Sequence, residues 1–316
     1  MFELNHCGLY FTAEDIQYAQ KNKKRHPFKA AWNLLLNTEQ TESLARLQWA
    51  GLRYRFAGDV ATGESALSIL NSGMFSATVY ETLLGNTAEL RDAIFRMLAL
   101  AQCFELLRDH PAYSLEQRAM WLEIFSGYVD SLRHQVYEPT VLETIWLSAL
   151  NVVAGVVLER KDWFDIGVAI YQHTVNDSIH PEGYLPKVVN SGDGRSFEKQ
   201  LSAVVALVLT AAAADCVGVN LWGHTTRGVS VLTAAAYPLY FYFYPEKWPW
   251  GETLTEQYVT CMFRERGGFL EIINQRYDRP LKAIKLMLDD LRPIYDCHGG
   301  GLATLSHAVA KRGLFG

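Results

Sequence analysis

No two cysteines in this sequence form a CxxC pair. The five, Cys7, Cys103, Cys216, Cys261 and Cys297, are scattered and odd in number. This excludes a disulfide framework and a cysteine-based zinc site, and leaves buried free thiols. HExxH and its relatives are also missing. No His, Asp or Glu group has ligand spacing, so no metal and no other cofactor is expected. Positive charge is not in surplus: 29 Lys+Arg stand against 34 Asp+Glu, a net charge of −5. That argues against a nucleic-acid partner, which would call for a basic stripe. Long apolar runs are lacking as well. The charge-free stretch between Glu143 and Glu159 falls short of the ~20 residues a span needs, and the one between Arg227 and Glu246 is broken by Pro238. Both read as buried core helices, and no membrane partner is expected. The opening Met1-Phe2-Glu3-Leu4-Asn5-His6 has neither the basic nor the apolar region of a signal peptide. As written, the chain reads as cytoplasmic, or as one whose leader has been removed.

What is present is helical periodicity. With 49% hydrophobic and 20% charged residues over 316 positions, the chain can bury roughly three quarters of its unfolded surface. It reads as one domain over residues 1–316. Thr12 caps a first helix whose first turn holds Glu14 and Asp15. Pro27 fits the first position of a second helix, and a third runs from Leu44 to Phe56 and stops at Gly58, with Asp59 capping its successor. Further helices are expected over Thr87–Arg108, Leu115–Val136, Pro139–Leu158, Asp162–Val175, Phe197–Cys216 and Gly223–Tyr237. Leu281–Leu291 is expected to be the last. No block alternates as a strand would. Short turns make successive helices antiparallel neighbours. Some helices are polar on one face and others apolar all round, which suggests two concentric layers. An α/α toroid and an α-solenoid both fit, although no fixed repeat of 34–45 residues is found.

Two segments depart from the helical pattern. His180 to Phe197 is rich in Gly, Pro and ionisable groups; Pro238 to Gly251 reads as an aromatic loop with Tyr240, Tyr242, Tyr244, Trp248 and Trp250. Long irregular loops in a helical domain are where function is sought.

Around the first of these the residues take on a familiar order. Asp162-Trp-Phe-Asp165, Tyr171, Val175, Gly183-Tyr-Leu-Pro186 and Gly218-Val-Asn-Leu-Trp222 resemble the middle of the alginate lyase family of α/α-toroid polysaccharide lyases. The Gly-rich stretch from Arg292 to Thr304 is similar to the tail of that family. The likeness covers roughly residues 140–225. It implies an all-α toroid, an incomplete barrel of antiparallel helix pairs in two layers. It also implies an acidic polysaccharide or oligosaccharide as partner and a periplasmic location if a leader was removed.

The family carries an Asn-His pair at the start of a buried helix, and an Arg and a Tyr after the Gly-Phe-Leu-Pro loop. A polyuronate lyase must neutralise the uronate carboxylate, remove the C5 proton and protonate the departing oxygen. Here Leu142 and Glu143 occupy the Asn-His positions, with Trp146 matching the family tryptophan. Arg195 matches the arginine, and the tyrosine position falls at Leu201 or Ser202. The resemblance therefore brings the fold without the whole mechanism.

Candidates for the chemistry are Arg195 as carboxylate neutraliser, His180 as base, Glu143 as an acid at a helix start, and Tyr184 in place of the missing tyrosine. Candidate ligand contacts are Trp146, Lys187, Tyr240, Tyr242, Trp248, Trp250 and His298, the last beside a flexible Gly-Gly-Gly run. Three readings follow. One is a lyase acting by β-elimination on an acidic glycan such as alginate. A second is a glycoside hydrolase pairing Glu143 with Glu182, Asp193 or Glu198 across ~5–9.5 Å. The third is a toroid that binds carbohydrate without catalysis.

Overall fold

The computed structural model describes residues 6–72, 90–135, 139–277 and 281–310. Its helices begin where a side chain can take up the first unpaired N–H groups. Thr12 and Asp15 form a capping box for α1 (Ala13–Asn22). α2 (Phe28–Asn37) follows Pro27, which is its N-cap rather than its first residue. α3 (Ser43–Leu52) runs into a π-helical turn over Arg53–Ala57, and Gly58 ends it in the left-handed region at φ 71°. Asp59 accepts from the Thr62 N–H at the head of α4 (Val60–Ser72). α5 (Leu90–Leu107) and α6 (Leu115–Gln135) come next. The expected boundaries at Thr87 and Val136, and the reading of Met1–Asn5, lie outside the described residues.

A second capping box, Thr140 with Glu143, opens α7 (Val141–Val157). α8 (Lys161–Asp177) has Arg160 as N-cap, so Asp162 lies in its first turn instead of capping it. The chain continues through a short α9 (Pro186–Val189), α10 (Ser196–Asp215), α11 (Val231–Phe243), α12 (Glu256–Arg266), α13 (Gly268–Arg276), α14 (Lys282–Leu291) and α15 (Ala303–His307). No strand forms among the described residues, where pairing is limited to two isolated bridges.

Burial sorts these helices into layers. α7 is buried continuously from Ile145 to Val157, α10 from Gln200 to Ala214, and α5 from Ala93 to Leu107 apart from Arg96. α7 packs on α5, α8 and α10; α10 packs on α11, α12 and α13. The outer helices α4, α6, α8 and α12 keep one face in solvent. The result is an α/α toroid. α10 alone among the described helices is long and apolar enough to cross a membrane, and 89% of that window is buried inside the fold. It is the core helix.

α7 and α8 approach closely because glycine stands at their contact. A Cβ on Gly155 would lie 2.6 Å from the Phe164 nitrogen, and one on Gly167 would lie 2.7 Å from the Val152 nitrogen. Both obstacles are backbone, which cannot step aside. Gly155→Ala is therefore expected to lose about 1–3 kcal/mol, despite alanine's better helix propensity, as read by urea denaturation. An unchanged midpoint would mean that the two helices can separate at no cost.

One expected boundary is corrected. Helix was expected over Gly223–Tyr237 and a loop from Pro238, whereas α11 begins at Val231 and runs through Pro238 to Phe243. Ser230 and Thr233 exchange capping bonds, which sets the later start. The missing Pro238 N–H costs about 3 kcal/mol. Burial of Val231, Leu239 and Phe241, worth roughly 1.5–3 kcal/mol each, offsets it. Tyr240 and Tyr242 thus sit on a helix. Leu281–Leu291 is not the last helix either, because α15 follows it.

Candidate active site

The N-terminal ends of α5, α7 and α10 meet at one mouth. There Arg91 and Asp92 begin α5, Thr140, Leu142 and Glu143 begin α7, and Arg195 and Lys199 begin α10. With Lys187, Val188, Ser191 and Asp193 from the intervening loop and α9, they line a cavity of about 420 Å³. Three inner helices direct the positive ends of their dipoles there, a field that favours an anion. Four cations add to it. Arg195 is held by a two-toothed bond to Glu198 (2.9 and 2.8 Å) and Lys199 by Asp193 (2.6 Å). Arg91 and Lys187 have no ion-pair partner among the described residues.

Of the three acids that line the mouth, Glu143 and Asp193 are already engaged. Glu143 Oε2 accepts from both the Thr140 N–H and its hydroxyl at 2.7 Å, closing the cap of α7. The Asp193 carboxyl is held down to about 2, chiefly by the Lys199 ammonium. Leu201 and Ser202, where the tyrosine position is expected, are both buried, and the Ser202 hydroxyl accepts from the Trp146 indole N–H at 3.0 Å.

One turn along α5 and α7 from Asp92 and Glu143 lies an aromatic cluster that is outside the cavity lining. Trp146 meets the Phe95 ring edge-on at 4.5 Å, and His298 stacks on Phe95 at 4.5 Å. Trp146 is wholly buried (0% exposed), so it supports the cluster and does not reach a ligand as expected. The His298 loop is held rigidly. Asp296 pairs with Gly301 through both backbone groups, and its carboxylate accepts from the Gly299 N–H at 2.7 Å. Any Cβ on Gly299 would strike that carboxylate at 2.1 Å, so the position requires glycine. The Gln102 and Gln48 amides donate to the Gly300 and Cys297 carbonyls.

Arg266 is the last residue of α12. It reaches Glu198 at 3.8 Å, and its Nε is buried with no hydrogen-bond partner. Its charge acts on both His298 and Asp296.

Burial, reinforced by Arg266, pulls the His298 imidazole down to about 4. A histidine that takes its proton less readily folded than unfolded weakens the fold as pH falls from about 6.5 towards 4. Asp296 works in the opposite direction, since burial raises its carboxyl to about 6. Comparing wild type with His298→Gln isolates the imidazole. The stability advantage of the variant should grow to at most about 3 kcal/mol as pH drops from 6.5 to 4, and stay constant above 7. A difference that does not change with pH would contradict the burial of a neutral imidazole.

Other expected residues gather elsewhere. His180 stacks on Tyr184 at 4.4 Å, and Tyr184 packs against Trp250 and Tyr237. The loop carrying them is pinned by Gln200, which accepts from Leu185 N–H and donates to the Gly183 carbonyl. These residues pack towards α11 and do not line the Arg195 mouth. Trp248 is 6% exposed, its rings enclosed by Phe197 and Phe241 and its N–H given to Ser196, so its faces serve packing. The Tyr242 hydroxyl donates to Asp290 of α14, and burial with that carboxylate pushes it up to about 12. Tyr240 is exposed beside Tyr244. The structure thus brings Arg195, Lys187 and Glu143 together; His298 is not in that lining and stacks on Phe95, one turn along α5 from Asp92. Arg91 and Asp92 were missed in the sequence. Their signal was a charged pair heading an otherwise apolar helix, the pattern that also marks Glu143 and Arg195.

Residues 66–248 match the family model described as alginate lyase. Alginate lyase A1-III from Sphingomonas species A1 shares the fold with a TM-score of 0.77 at 15% identity, over 96% of this chain and 97% of that one. A tyrosine-to-phenylalanine variant of A1-III complexed with a tetrasaccharide gives 0.74 at 16% identity, over 98% and 97%. An alginate lyase from Bacteroides ovatus gives 0.69 at 11%, over 95% and 98%. No curated protein matches significantly. At such identities the structures speak for the toroid, while the family model spans more than half of the sequence: the chain belongs to the alginate lyase family.

Proposed function

We propose that this protein is a polysaccharide lyase that cleaves uronate-containing glycans such as alginate by β-elimination at the mouth of α5, α7 and α10. The observation that carries the reading is the convergence of three helix N-termini and four cations on one cavity, with a neutral histidine stacked on Phe95 one turn along α5 from Asp92. A uronate carboxylate entering the mouth meets Lys187 and Arg195, the latter exchanging Glu198 for the ligand. Neutralising that carboxylate acidifies the C5 proton. His298 is the group suited to remove it, because its imidazole stays neutral at neutral pH and so keeps one ring nitrogen free to accept the proton. The C5–H electron pair becomes the C4=C5 double bond, the C4–O bond breaks, and the imidazolium returns its proton to the departing oxygen.

Hydrolysis finds less support. It needs one carboxyl that holds a proton, yet Asp193 is pushed down to about 2 and Glu143 is engaged in the α7 cap. Absorbance of the unsaturated uronate on alginate, polyglucuronate, pectate and glycosaminoglycans tests the reading. Arg195→Ala is expected to lower kcat/KM on the responsive polymer by about 10²–10³. Released reducing ends without that chromophore would favour a hydrolase instead. Binding without any product would leave a carbohydrate-binding toroid.

A further inference from the structure

The strongest concentration of unpaired positive charge lies away from the mouth. Between Lys21 and Lys29 the sequence holds Lys21, Lys23, Lys24, Arg25 and Lys29, all exposed, in a chain whose net charge is −5. None has an ion-pair partner among the described residues. Lys23, Lys24 and Lys29 stand over a groove of about 920 Å³ between α1, α2 and the π-helical turn. Its apolar surface is chiefly Leu36, which is exposed, with Trp32 and Phe56 buried beneath it, and no carboxylate lines it. The mouth described above is different in kind, since there each of two cations is already matched to an acid.

The groove is also remote from that mouth. α3 begins beside Glu42, whose charge is felt by His298, and the π-helical turn that follows it ends at the groove with Phe56 and Ala57. Fifteen residues of helix separate the two ends, about 20 Å at 1.5 Å per residue.

We propose that this groove is a second, non-catalytic binding surface for acidic polysaccharide, a reading that rests on the proposed function for its ligand class. Lysine ammonium groups attract a chain of carboxylates without demanding one geometry, and the exposed Leu36 side chain beside them offers an apolar surface to the C–H faces of sugar rings. A concave groove with its aromatics below the rim does not suit membrane insertion, which relies on a projecting apolar face. The acidic chain as a whole does not suit nucleic acid. A polymer long enough to reach both sites is held at high effective concentration at the mouth, so the groove raises affinity for polymers and not for short oligomers.

The test is affinity electrophoresis of the full chain through gels containing alginate, beside isothermal titration with an alginate tetrasaccharide. The Lys23→Glu/Lys24→Glu/Lys29→Glu variant should lose about tenfold or more in affinity for the polymer. It should keep tetrasaccharide binding, any elimination of short oligomers and the wild-type Tm. Arg195→Ala should lose tetrasaccharide binding and elimination while its remaining retention in the gel still depends on the three lysines. Retention of the triple variant equal to wild type would overturn the proposal. So would lysine-dependent binding to phosphatidylglycerol vesicles or duplex DNA with none to alginate. Absence of elimination on every polymer, with lysine-dependent retention intact, would sink the catalytic reading and leave the groove standing.

Discussion

His298→Gln should reduce kcat for uronate elimination by about 10²–10⁴, the usual worth of a positioned general base, with KM changed far less. The imidazole stacks on Phe95 and is kept neutral by burial and by Arg266, so its removal deletes a proton acceptor and leaves the cations at the mouth in place. The pH dependence follows from the same feature. As a base it works unprotonated, so kcat/KM should fall as pH drops through about 4 rather than through the ordinary imidazole range. Glutamine preserves volume and polarity, and a Tm measured alongside separates lost chemistry from lost fold. Wild-type turnover in the variant would remove His298 from the reaction.

Glu271→Ala should cost about 3–5 kcal/mol, a large share of the 5–15 kcal/mol a domain commands. Glu271 is fully buried on α13 and grips Arg292 with two bonds of 2.7 Å, while the Thr304 hydroxyl donates to it at 2.8 Å. Removing the carboxylate strands a guanidinium whose side chain is 8% exposed. These three residues tie α13, the end of α14 and α15 together around the loop that carries His298, so the loss should also appear as reduced activity. Urea denaturation gives the magnitude, with the m-value showing whether unfolding stays two-state. Glu271→Leu/Arg292→Met should recover much of the loss, because two well-packed apolar side chains leave no charge stranded. A single variant as stable as wild type would mean that the pair is solvated.

Much of the toroid can be read in the sequence because its causes are local. Thr12 with Asp15, Asp59 with Thr62 and Thr140 with Glu143 mark helix starts three residues at a time. The all-round apolar character of residues 145–157 and 200–214 marks the inner layer. Pro238 misled because its local penalty was outweighed by burial of Leu239 and Phe241, a tertiary effect. The site divides in the same way. Arg195, Lys187 and Glu143 are near the Gly-Tyr-Leu-Pro loop or the head of a buried helix, so sequence alone can propose them, and the structure places them around one cavity. The engagement of Tyr242 by Asp290, of Trp248 by Ser196 and of Trp146 by Ser202 spans 48 to 56 residues, and no short motif records such pairings. His298 was singled out for its glycines, but its neutrality depends on Arg266 and on burial, which only packing supplies.

In the proposed reaction the mouth of α5, α7 and α10 seats a uronate with its C5 hydrogen towards His298. The most direct measurement is a crystal structure of His298→Gln with an alginate tetrasaccharide. That seating predicts a sugar carboxylate within hydrogen-bond distance of Arg195 or Lys187, and the substituted glutamine amide facing C5 of the adjoining ring. A tetrasaccharide bound elsewhere, with Arg195 still closed on Glu198, would contradict it.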